Sequence, residues 1–121
     1  MSLEELQALV DDASYDFAMG DADAALAKLE EATRRDPELF EAWLSLAEVH
    51  LSGRRLDAAL AAAERAMGIR PKDLLANATL SRIWMERGDK PKAEHFGAQA
   101  RMQSWKEELE RPATDDAGGL H

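Results

Sequence analysis

Apolar residues recur at steps of three and four along most of the chain. Leu3, Leu6, Val10, Ala13 and Phe17 share one face of a helix, because 3.6 residues complete a turn. Ser2 and Glu5 precede that face as a capping box. Gly20 suits a left-handed stop, and Asp21 suits a cap for the next helix. A second helix is predicted to carry Ala25, Leu26, Leu29 and Ala32 and to stop near Asp36-Pro37. That pair is predicted to be the N-cap and first residue of a third helix. The third helix carries Phe40, Trp43, Leu44, Leu46, Ala47 and Leu51 and breaks at Ser52-Gly53. A fourth runs from about Arg55 to Met67. Asp73 caps a fifth, with Leu74, Leu75, Ala78, Leu80, Ile83 and Trp84, closed by Gly88-Asp89. A sixth begins near Lys90-Pro91 and is long: up to Arg111 only Gly97 speaks against helix.

The elements repeat with a period of 34 residues. Ala25, Ala59 and Ala93 form one column, Ala32, Ala66 and Ala100 another, and the small residues Ala13, Ala47 and Ser81 a third. Pro37 and Pro71 keep the same beat, and Trp105 takes the next. Gly20 and Gly88 are two periods apart, with Arg54 on the middle beat and Gly53 one residue early. The units run over about 6–39, 40–73 and 74–107 without insertion. Small residues in phase have a mechanical reason: two helices joined by a short turn cross closely, and a methyl-sized side chain permits it.

This pattern resembles the tetratricopeptide repeat family, whose 34-residue helix-turn-helix unit places Trp or Leu early, a small residue four positions on, alanines in the second helix and a closing proline. The middle unit carries Trp43, Leu46, Ala47, Ala59, Ala66 and Pro71; the first keeps Ala13, Gly20, Ala25, Ala32 and Pro37; the third keeps Leu80, Ser81, Trp84, Gly88, Ala93 and Ala100. The resemblance implies an all-α solenoid of six antiparallel helices over residues 1–111, and the polar, Gly-rich composition of 112–121 predicts a disordered tail. It implies an adaptor that binds a partner peptide or helix along the first helices of each pair. Mapped onto this chain, that surface is Val10, Ser14 and Phe17; Glu41, Leu44, Glu48 and Leu51; Leu75, Ala78, Arg82 and Met85. A well-known branch clamps a partner's terminal carboxylate with Lys, Asn and Arg. The matching positions here are Val10, Ser14, Leu75 and Thr79, so no such acidic tail is expected to bind. Two departures stand out. Asp12 and Asp16 occupy positions for large packing residues, which predicts a rotated or lightly packed first helix; Trp105 replaces the third closing proline, so the sixth helix continues past it.

Composition narrows the alternatives. Alanine and leucine number 23 and 16, against four valines and isoleucines, which disfavours a sheet. The net charge of −9 disfavours nucleic acid and anionic membranes as partners. No apolar run approaches the length of a membrane span, and the acidic amino terminus is unlike a signal peptide, so a cytoplasmic location is expected. Absent cysteines exclude disulfides and thiolate chemistry. Charge is uneven: 6–39 carries nine acids and three bases, 40–73 five of each, and 74–107 four acids and six bases. Two readings remain open, solvated helix faces or head-to-tail stacking of a negative front on a positive back.

Catalytic chemistry finds no foothold. None of His50, His95 and His121 has a nucleophile and an orienting carboxylate at a suggestive spacing, His50 is expected on the packed side of its helix, and Gly118-Gly119 lacks a following Lys-Ser or Lys-Thr. The cluster Asp11, Asp12, Asp16, Asp21 and Asp23 lacks the ligand spacing of a calcium loop. No enzyme activity, cofactor or metal is expected. The end of the chain raises a different question, because Phe96, Met102, Trp105 and Leu109 give the last helix an apolar ridge with no repeat after it. It is either self-capped, by curling back or by Leu120, or it is an oligomer or partner contact. The rivals to an adaptor are therefore a self-associating scaffold, dimeric or head-to-tail, and a small secretion-type chaperone.

Overall fold

The computed structural model describes residues 1–112, so the expected tail lies outside the described residues except for Pro112. Six helices follow in order: α1 Leu3–Ala18, α2 Ala22–Arg35, α3 Phe40–Ser52, α4 Leu56–Ile69, α5 Leu74–Glu86 and α6 Lys90–Glu110. There is no strand among the described residues. Consecutive helices pair as α1–α2, α3–α4 and α5–α6. Hairpins stack because α2 packs on α3 and α4 on α5, while α1 touches α3 and α3 touches α5. The backbones of α2, α4 and α6 stand apart from one another, and α1 does not reach α6. The array is open, with one packed inner row (α1, α3, α5) and a splayed outer row.

Local chemistry sets most helix ends. The Ser2 amide donates to Glu5 Oε1 at 2.7 Å and the Glu5 amide to Ser2 Oγ at 3.1 Å, closing the expected box. Hydrogen bonding from the Ser2 amide first, and from its hydroxyl second, holds the Glu5 carboxyl below its ordinary range. Asp21, Asp73 and Asp89 accept from the amides of Ala24, Ala76 and Lys92. The three hairpin turns are alike. In each, a left-handed residue (Gly20, Arg54 or Gly88) follows the cap, and the next amide reaches back to a carbonyl five residues earlier: Asp21 to Asp16, Arg55 to His50, Asp89 to Trp84. This is the Schellman arrangement. The second turn keeps the beat of the repeat and puts Arg54 at φ 59°, although Gly53 is its neighbour.

The expected cap at Asp36-Pro37 is corrected. Asp36 closes α2, its carboxylate accepts from the Glu38 amide at 3.0 Å, and α3 starts only at Phe40 behind Leu39. Pro37-Glu38 is a turn between hairpins, repeated at Pro71-Lys72. Each turn is anchored from the next helix. Trp43 Nε1 donates to the Pro37 carbonyl at 2.8 Å, and Asn77, 34 residues on, donates from Nδ2 to the Pro71 carbonyl at 3.2 Å. That bond, with a second to the Asp73 carbonyl, accounts for a buried asparagine.

Ala13, Ala25, Ala47, Ala59 and Ala93 are all sealed from solvent. In the third hairpin Ser81 Oγ donates to the Ala93 carbonyl at 2.7 Å, and a Cβ added at Gly97 would stand 3.1 Å from that same oxygen. Gly97 is therefore the small residue of a tight crossing. α1 packs through Leu6, Val10 and Ala13. Its acidic departures are settled differently: Asp12 is exposed, whereas half-buried Asp16 pairs with Lys28 of α2 at 2.6 Å.

Candidate functional site

Equivalent positions of α1, α3 and α5 form rows across the inner face, since each inner helix repeats the last one 34 residues on. Val10, Leu44 and Ala78 make one row, Phe17, Leu51 and Met85 a second, and Ser14, Glu48 and Arg82 a third. Exposure differs along these rows. Val10, Leu44 and Leu51 are buried; Phe17, Ala78 and Glu48 are half-buried; Ser14, Glu41, Arg82, Leu75 and Met85 are exposed. Leu44 belongs to a cluster with Phe40 of its own helix, Ala66 of α4 and Ala76 of α5. Leu51 and Met85 occupy the same position, yet among the described residues only Leu51 has another hairpin above it. The apolar groove expected at Leu44 and Leu51 is thus spent on packing, and the accessible apolar surface of this face sits on α5.

The trough has two recesses. One lies between α1 and α3, with Leu29 and Val49 as its floor and Ser14, Phe17, Ser45 and Glu48 at its rim. The other is broad, between the ends of α3 and α5, and is lined by Leu51, Arg54, Arg82 and Met85. Glu48 accepts a long hydrogen bond of 3.4 Å from Thr79 of α5. Across the turns, Arg54 pairs with Glu86 and Arg87 with Asp57, tying the second hairpin to the third. His50 lies half-buried, and its Nδ1 accepts from Arg55 Nε at 3.0 Å. Burial first, and the Arg55 charge second, push the imidazole below its ordinary pKa, with Glu30 opposing.

The terminal ridge divides. At about 100° per residue, Phe96 points away from Met102, Trp105 and Leu109, and it packs half-buried against the core instead. The other three are 50%, 62% and 65% exposed. α6 is 21 residues long against 13 for α5, so it overhangs its partner by roughly 12 Å. Phe96 also helps line an apolar notch on the outer side with Trp84, Pro91 and Glu64, where Lys92 Nζ lies 4.3 Å from the Trp84 ring. The sequence reading assigned no role to this notch. The signal was Trp84 followed by Pro91 and Phe96, but only folding brings α4 beside them.

An open stack of six helices in three hairpins defines a helical-repeat protein. A family profile described as tetratricopeptide repeat matches residues 10–74, more than half of the chain, and the chain belongs to that family. Two solved structures of MamA resemble it. One superposes with a TM-score of 0.77 at 21% identity, over 91% of this chain and 60% of its own. The other gives 0.80 at 21% identity, over 86% and 61%. This likeness is one of fold, and the chain spans about three fifths of the length of those structures. A search of curated proteins found no match. Membership of this family marks a protein-interaction or scaffold role. No helix among the described residues is long and apolar enough to cross a membrane.

Proposed function

We propose that the chain is an adaptor that captures an extended or helical segment of a partner protein along α1, α3 and α5. The observation that carries this reading is the apolar surface left on α5: Leu75 and Met85 are exposed beside half-buried Ala78, on the same face as Phe17 and Glu48. Exposed apolar side chains set among charged ones favour an amphipathic ligand. The mechanism is capture by shape and charge without a covalent step. The test uses peptides selected from a randomised display library against the full chain. Leu75→Glu with Met85→Glu is expected to abolish their binding while leaving the thermal melt in place, because neither side chain is buried. Substituting Leu44 or Leu51 would instead break the core and teach nothing about binding. Unchanged affinity in the double variant refutes the trough.

A second reading has its own support. Met102, Trp105 and Leu109 stand exposed on the overhang of α6, where another hairpin would dock, and this favours self-association through the end of the array. Sedimentation velocity of the full chain and of Trp105→Ser with Leu109→Ser separates the two: a larger species lost only in that variant supports the scaffold.

A further inference from the structure

Taking the trough as the working face, we propose that the recess between α1 and α3 reads one basic side chain, Lys or Arg, of the bound segment. The recess holds about 80 Å³. A recess of this size takes the end of one side chain and no more, so its lining decides which end fits. The lining has two characters. Leu29 and Val49 at the base are buried and apolar, while Ser14, Ser45 and the Glu48 carboxylate stand at the rim with Phe17. Basic side chains have the same two characters, an apolar stem and a charged tip.

Glu48 decides the sign of the occupant. It is half-buried, its one hydrogen bond is the long one from Thr79, and no cation pairs with it among the described residues. Any segment lying in the trough strips water from this carboxylate. An apolar cover leaves a charge buried and unpaired, which is strongly unfavourable. A cation turns the same burial into a charge-assisted hydrogen bond, and the Phe17 ring supplies a further attractive wall. The net −6 of residues 6–39 adds a longer-range bias towards positive ligands. Arg82 occupies the position of Glu48 one hairpin further on and has no ion pair among the described residues. It repels a second cation there, so the basic residue is fixed to the α1–α3 end and the segment gains a direction.

The experiment uses the display-selected peptides with the full chain, their footprints mapped by amide chemical-shift changes. Peptides whose footprint includes Ser45 and Glu48 are expected to share one Lys or Arg. Replacing it with norleucine should weaken binding at least tenfold. Glu48→Gln should weaken the parent peptide to the same degree yet leave the norleucine peptide within twofold, since the pair has already been broken. The change on the peptide side cannot disturb folding, so the result does not depend on the variant protein alone. A trough footprint with no shared basic residue, or a Glu48→Gln effect below twofold on the parent peptide, overturns the basic-residue assignment and leaves the trough standing. Footprints that avoid α1, α3 and α5 altogether overturn both.

Discussion

Arg54 sits where the other two hairpin turns have glycine, and its left-handed backbone should be measurable as strain. Its φ is 59°, against 89° at Gly20 and 84° at Gly88. For a residue with a Cβ this conformation costs roughly 1–2 kcal/mol. Glycine removes that cost but gives back up to about 1 kcal/mol through the greater freedom of the unfolded chain. Arg54 also pairs with Glu86, a contact between largely exposed side chains worth about 0–1 kcal/mol. The useful comparison is therefore Arg54→Gly against Arg54→Ala, because both lose the ion pair and differ only in the backbone. Arg54→Gly should be the more stable by about 1 kcal/mol, some 4 °C in Tm for a domain this size. The mirror experiment is Gly20→Ala or Gly88→Ala. An added Cβ meets nothing within 4 Å at either site, so each should lose about 1 kcal/mol from strain alone. Differential scanning calorimetry reads all four variants. Coincident melts for Arg54→Gly and Arg54→Ala would show that the turn stores no strain, and the argument for a conserved turn geometry across the hairpins would fail with it.

Two further outcomes are expected. Ala59→Leu forces three extra carbons into a fully buried position in the middle hairpin and should cost roughly 1–3 kcal/mol in chemical denaturation; an unchanged midpoint removes Ala59 from the crossing. His50 is held below its ordinary pKa in the folded state, so the unfolded chain takes up its proton first as pH falls. Stability should be fully present above the unfolded value near 6.5 and should decline below it. His50→Gln should flatten that part of the pH–stability curve, and an identical slope in the variant contradicts the assignment.

The period, the hairpin turns and the caps at Ser2, Asp21 and Asp73 were legible in the sequence, because each depends on residues within one turn of one another; Asp89, read there as closing α5, caps α6 as well. Ser2, Asp21, Asp73 and Asp89 bond amides three positions away, and Gly20 and Gly88 take a backbone region open to glycine. The long α6 followed from a proline missing at Trp105. Which apolar residues lie at the surface depends on how the hairpins stack. Leu51 and Met85 are equivalent in the repeat and both apolar, yet one is covered by the following hairpin and the other ends the inner row. Phe96 read as part of the terminal ridge until the helix was placed and its ring turned towards the core. Asp36 looked like a cap, but α3 waits until Phe40, after a turn that Trp43 anchors from its own helix. Glu48, Ser14 and Phe17 line one recess only because α1 and α3 pack side by side. Periodicity fixes where a side chain points along its own helix; what stands opposite is set by stacking, and stacking ends where the array does.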